Sequence, residues 1–109
     1  MVIEDSVFTN NTCGTNGGAF FTSNTGTTTI TMDNSMFDVA VAGQNGGIGY
    51  FRGSALTMTS TGLTTSYTYT TTASGGAFYF ENSVSSVISF IKSSFDLANA
   101  KVNGGIVYS

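Results

Sequence analysis

Apolar and polar residues alternate in short runs along most of this chain. Examples are Ile30-Thr31-Met32, Leu56-Thr57-Met58 and Ile88-Ser89-Phe90, and again Ser35-Met36-Phe37-Asp38-Val39 and Ser93-Ser94-Phe95-Asp96-Leu97. A period of two marks half-buried strands, because successive side chains leave opposite faces of a sheet. Helices would need apolar stripes at period 3.6 and a supply of Ala, Leu, Glu and Lys. The chain holds instead eighteen Thr, fourteen Ser and fourteen Gly with abundant Phe, Tyr, Val and Ile, which is strand and turn composition.

The strands recur on a fixed frame. Gly17-Gly18, Gly46-Gly47, Gly75-Gly76 and Gly104-Gly105 follow one another at intervals of 29 residues, with no insertion or deletion expected between them. The residues before the pairs are Asn16, Asn45, Ser74 and Asn103. Nine residues before each pair stand Phe8, Phe37, Ser66 and Phe95, and two before those stand Ser6, Ser35, Thr64 and Ser93. Two neighbouring columns alternate in size: Ala19, Ile48, Ala77, Ile106 beside Phe20, Gly49, Phe78, Val107. Compensation of this kind is expected where equivalent residues stack in a packed interior. A period of this length marks a repeat protein. About three short strands per repeat, joined by Gly, Asn and Ser, suit one coil of a parallel β-solenoid. The lack of proline agrees, since each inner strand donates to ladders on both sides.

The Asn-Gly-Gly elements predict sharp corners, because Asn tolerates left-handed backbone angles and Gly adopts them without steric cost. Stacked corners would let Asn16, Asn45 and Asn103 bond along the axis as a ladder, with Ser74 in the third place. Isolated Asn-Gly hairpins would explain the turns but not the fixed period.

The run Ile30-Thr31-Met32-Asp33-Asn34-Ser35-Met36-Phe37, followed by Asn45-Gly46-Gly47-Ile48, resembles the repeat of polymorphic outer-membrane proteins and related protist surface proteins. Gly17-Gly18-Ala19-Phe20 and Gly75-Gly76-Ala77-Phe78 match its Gly-Gly-Ala-Ile element, and Phe8-Thr9-Asn10-Asn11 its Phe-x-x-Asn element. Phe37 and Phe95 lack that Asn, and the third repeat departs most, with Thr64-Thr65-Ser66 in place of Ser-x-Phe. The resemblance spans the chain. It implies an all-β, right-handed parallel β-helix of about four coils, with repeats near 1–29, 30–58, 59–87 and 88–109 in a single segment 1–109. It also implies surface scaffolds and adhesion stalks as the setting.

Such a stack would rise about 18 Å at ~4.8 Å per coil and expose strand edges at both ends. The expectation is a segment of a longer array, or a subunit whose ends stack on its neighbours. Charge excludes some classes of partner: a net charge of −3 from nine charged side chains gives no basic field for nucleic acid. No stretch is long enough to span a membrane as a helix. One cysteine, Cys13, rules out an internal disulfide framework and is expected to pack as a small residue in the column of Ala42, Thr71 and Ala100. Low charge with many hydroxyls suits an extracellular or cell-surface protein bearing glycans. Asn10 opens the sequon Asn10-Asn11-Thr12. Thr64 to Thr72 could carry O-linked sugars, though a Thr-rich strand with outward hydroxyls explains it better.

Catalytic chemistry finds little purchase. There is no His, and the cations are Arg52, Lys92 and Lys101. Asp38 and Asp96 share a column two coils apart, with Tyr67 expected between them; their spacing of ~9.6 Å is near that of an inverting carboxylate pair. No third acid or cation accompanies them. Metal-ligand spacings and phosphate loops are lacking as well, so no cofactor is expected. The column Phe21, Tyr50, Tyr79, Tyr108 remains. If Phe20, Phe78, Val107, Phe51 and Phe80 point inward, these rings face out and form a flat stripe for lateral packing or sugars; a change of parity would bury them. The expected function is a structural repeat module of an extracellular or cell-surface filament, stacking end to end. The alternatives are a carbohydrate-binding or adhesive β-helix and, third, a polysaccharide-degrading enzyme.

Overall fold

The computed structural model describes residues 1–23, 25–81 and 85–109, and among these it holds strands and turns but no helix. The first coil comprises β1 (Val2–Glu4), β2 (Val7–Cys13) and β3 (Phe20–Ser23). The second comprises β4 (Thr27–Asp33), β5 (Met36–Ala42) and β6 (Gly49–Arg52). In the third, β7 (Ala55–Thr61) leads to β8 (Thr64–Thr65), β9 (Thr68–Thr70) and β10 (Phe78–Glu81). The fourth runs through β11 (Ser85–Ile91), β12 (Ser94–Phe95), β13 (Ala98–Asn99) and β14 (Val107–Tyr108). Each coil adds its strands in parallel to those of the coil before, building three sheets along one axis. The chain is a parallel β-solenoid of about four turns, 30 × 30 × 18 Å.

The 29-residue frame holds only in the third sheet, where Phe20, Gly49, Phe78 and Val107 face one another. In the first sheet Val2 faces Thr31, but Thr31 faces Thr59 and Thr59 faces Ser89, spacings of 29, 28 and 30. Two residues, Gly53 and Ser54, link β6 to β7, where three separate β3 from β4. The missing residue returns after Thr70: four residues lead from it to Gly75, against three from its partner Ala42 to Gly46. A deletion and an insertion thus cancel within the third coil, and the expectation of an uninterrupted frame is corrected. Thr65, not Ser66, stands between Phe37 and Phe95. The Cys13–Ala42 column continues to Thr70, not Thr71.

Alternation decides what is buried. Ile30 and Met32 of β4, and Leu56, Met58 and Ser60 of β7, point inward between outward threonines. Phe37 has no exposed surface; its ring stacks on Phe8 at 4.7 Å and meets the edge of Phe20 at 5.8 Å. The space left by Gly49 in the Phe20–Phe78 column is taken by the Phe51 ring, which would lie 2.5 Å from a Cβ placed there. The third coil interrupts this apolar core with hydroxyls. Ser60, Thr65 and Thr68 are buried with no hydrogen-bond partner among the described residues, facing Met32, Phe37 and Ala40 on one side and Phe90, Phe95 and Ala98 on the other.

Two substitutions test this core. Phe37→Ala removes a ring from a closed site and should lower unfolding free energy by about 3–5 kcal/mol; a loss below about 1 kcal/mol in urea titration would contradict the packing. Thr65→Val deletes an unpartnered hydroxyl at nearly constant shape and should raise stability by about 1 kcal/mol.

Candidate functional site

The Asn-Gly-Gly corners are built from backbone contacts between coils. The first glycine of each pair is left-handed, with φ of 68° at Gly17 and 65° at Gly46. The second has a different need: a Cβ on Gly47 would lie 2.1 Å from the carbonyl oxygen of Gly76 in the next coil. The Asn16 side-chain oxygen accepts hydrogen bonds from the Asn45 side-chain amide at 3.1 Å and from the Asn45 backbone N–H at 3.2 Å. Asn45 passes the ladder on, its Oδ1 accepting from the Ser74 N–H at 3.1 Å. Asn103, in the last coil, is exposed.

A second corner, between the first and second sheets, escaped the sequence reading. Asp5, Asn34, Gly62 and Lys92 all have left-handed φ there. In three coils a serine follows and caps the turn: the hydroxyls of Ser6, Ser35 and Ser93 donate to the carbonyls of Glu4, Asp33 and Ile91. The signal was a column of αL-tolerant residues, hidden because a strict 29-residue count puts Leu63 where Gly62 stands. The second sheet bends at Asn10, Val39 and Leu97, also left-handed. Asn10 is exposed at this bend.

On the third sheet Phe21, Tyr50, Tyr79 and Tyr108 stack face to face along the axis. Centroid distances are 5.1, 5.3 and 5.0 Å and interplanar angles 2°, 7° and 20°. Phe20, Phe78 and Phe80 turn to the core side, so the ladder lies on the outer face. Phe21, at one end, is 58% exposed and Tyr50 only 6%, while Tyr79, also between two rings, is half-buried. The stripe is continuous rather than four separate rings.

Asp38 and Asp96 are held two coils apart. Ser66, not Tyr67, lies between Asp38 and Asp96, and its hydroxyl donates to Asp38. Among the described residues no three His, Cys, Asp or Glu side chains group to hold a metal, and no helix is long and apolar enough to cross a membrane. Cys13 is half-buried in the end coil, and hydrogen bonding to the Thr15 backbone and then its hydroxyl lowers its thiol pKa. Thr65, Thr68 and Thr70 of the Thr-rich run point inward, while Thr71 and Thr72 are exposed and donate to the Gly43 carbonyl. The offset of the third coil also sets Tyr67 and Tyr69 beside Leu97, Asn99 and Lys101, around a groove of about 390 Å³. Tyr67-Thr68-Tyr69 places both rings on one face by period two, which was the available signal.

The two ends of the stack are open. Phe8, Phe20, Ile88, Phe90, Phe95 and Val107 occupy inward columns yet are only partly buried, whereas their equivalents Ile30, Met32, Phe37 and Phe78 in the inner coils have no exposed surface. Among the described residues, the large hydrophobic side chains left exposed fall in the first and fourth coils, Tyr67 excepted. No protein-family model, curated protein or solved structure matches the chain.

The corner geometry makes one demand on sequence. Gly47→Ala forces a methyl group into the Gly76 carbonyl and should cost about 3 kcal/mol. An unchanged urea midpoint would show that the coils can separate at this corner.

Proposed function

We propose that the chain is a structural repeat module of an extracellular or cell-surface filament, and that it works by stacking end to end rather than by catalysis. The observation that carries this reading is the column architecture: each coil offers the next the same stacked residues and a parallel strand edge, so one coil is a template for another. Wherever a stack of such coils stops, its apolar columns are closed on one side only and its outer strand edge keeps backbone groups for pairing. Such an edge is a template for another parallel strand. The contact joins unlike faces, and heterologous contacts that do not close produce open filaments. Resemblance to surface-protein repeats, low charge, outward hydroxyls and the exposed sequon Asn10 support an extracellular setting with attached glycans.

A second reading has its own support. The groove between Tyr67, Tyr69, Asn99 and Lys101 offers two aromatic faces and polar groups of the kind that hold a sugar, so a carbohydrate-binding role is the alternative.

Electron microscopy of the purified chain over a range of concentrations tests the first reading. Unbranched filaments with an axial repeat of about 19 Å per copy are expected, from four coils at ~4.8 Å. A monodisperse monomer at all concentrations would overturn it.

A further inference from the structure

We propose that the outer face of the first sheet is an ice-binding surface, a lattice of threonine hydroxyls and methyls that holds ordered water. The proposal stands apart from the filament reading, because it concerns the side of the stack and not its ends. Hydrogen-bond register places the residues. On the outer face of β4, β7 and β11, Thr29 faces Thr57 and Thr57 faces Val87. Beside that column Thr31 faces Thr59, which faces Ser89, and on the other side Thr27, Ala55 and Ser85 line up. The residues between them point inward. A coil added before or after would lengthen these columns and leave their outward direction unchanged.

Parallel pairing makes these columns a two-dimensional array. Positions repeat every ~4.8 Å across the strands and about 6.7 Å along them, two residues at a time. Both spacings exceed the ~2.8 Å of a hydroxyl hydrogen bond, so no hydroxyl reaches the next. Among the described residues, the hydroxyls of Thr29, Thr31, Thr57, Thr59 and Ser89 make no hydrogen bond. On other parts of the surface Ser54, Ser66, Thr71 and Thr72 donate within the chain. The array therefore bonds outward only. β-Branching holds threonine χ1 stiff, so methyl and hydroxyl keep fixed places and bound water inherits their spacing. The two repeats are close to those of the oxygen atoms on the prism face of hexagonal ice.

The composition of the face selects this occupant. No charged residue stands in the three columns; Glu4 and Asp33 fall in the column beyond, at the edge. A face without charge suits an uncharged lattice. Sugars would call for aromatic platforms, and a protein partner for Trp, Tyr or Arg anchors, and these columns hold none of them. Val87, 59% exposed, has the shape of threonine and keeps a methyl in the array where the hydroxyl is lost. Methyl groups order the first shell of water around them, which complements the hydroxyls.

Growth of single ice crystals in solutions of the purified chain tests the proposal, with freezing and melting points read separately. A gap between the two points is expected, with faceted crystals and adsorption of fluorescently labelled chain to the ice. Thr57→Tyr sets a ring in the middle of the array and should shrink the gap at least fivefold with circular dichroism unchanged. Thr64→Tyr, at an exposed position of the second sheet in the same coil, should leave the gap as it is. No gap and no adsorption in the parent would overturn the proposal, as would equal losses in the two variants. Binding to crystalline cellulose, or lateral dimers in sedimentation, abolished by Thr57→Tyr while ice growth is unaffected, would overturn it in favour of a polysaccharide or a second copy.

Discussion

The rest of the structure depends on the axial contact between equivalent backbones about 4.8 Å apart. Parallel pairing at that spacing leaves each inner residue sandwiched between its counterparts, so a side chain is acceptable only if its column accepts it. Consequently Gly47 cannot carry even a methyl group under the Gly76 carbonyl, and Asn45 finds its partner in Asn16 rather than in its own coil. The aromatic rings obey the same rule: Phe8 on Phe37 and Tyr50 on Tyr79 lie nearly parallel because the coils below and above hold them there.

That constraint acts on columns, not on residue counts, and the third coil shows the difference. One residue is lost at Gly53-Ser54 and one gained before Gly75, so two sheets run a residue early while the third stays in step. The offset keeps inward residues inward, since a slip without the compensating loop change would turn every side chain of a strand to the other face. It also has costs and products. Thr65 takes a phenylalanine position and leaves its hydroxyl unpartnered, and Tyr67 and Tyr69 come to line a groove beside Lys101.

The ends follow from the same physics. Columns have no natural terminus, so an outermost coil leaves its half of each contact unmade. Phe8 and Phe95 are chemically the same residue as Phe37 in the same column, yet only Phe37 is closed from both sides. Position along the axis, not side-chain type, separates core from candidate interface, which is why the surface proposed for assembly resembles the interior.

The sequence by itself determined the strand composition, the parallel stacking, the Asn-Gly-Gly corner and the alternation of Phe20, Gly49, Phe78 and Val107, because each leaves a periodic trace. It also determined that Tyr50 and its equivalents form one column. Only the tertiary structure decided the column membership of the third coil. A deletion balanced by an insertion leaves the spacing of the glycine pairs unchanged, so counting from them misplaced Ser66, Tyr67 and Leu63. With those residues misplaced, the left-handed corner through Gly62 and the Tyr67–Tyr69 groove were not legible. The burial of Tyr50 beside the exposure of Phe21 likewise needed the structure, since both occupy the same column and differ in the coils that flank them. Periodicity records which residues are equivalent; hydrogen-bond register and neighbouring coils decide what each of them touches.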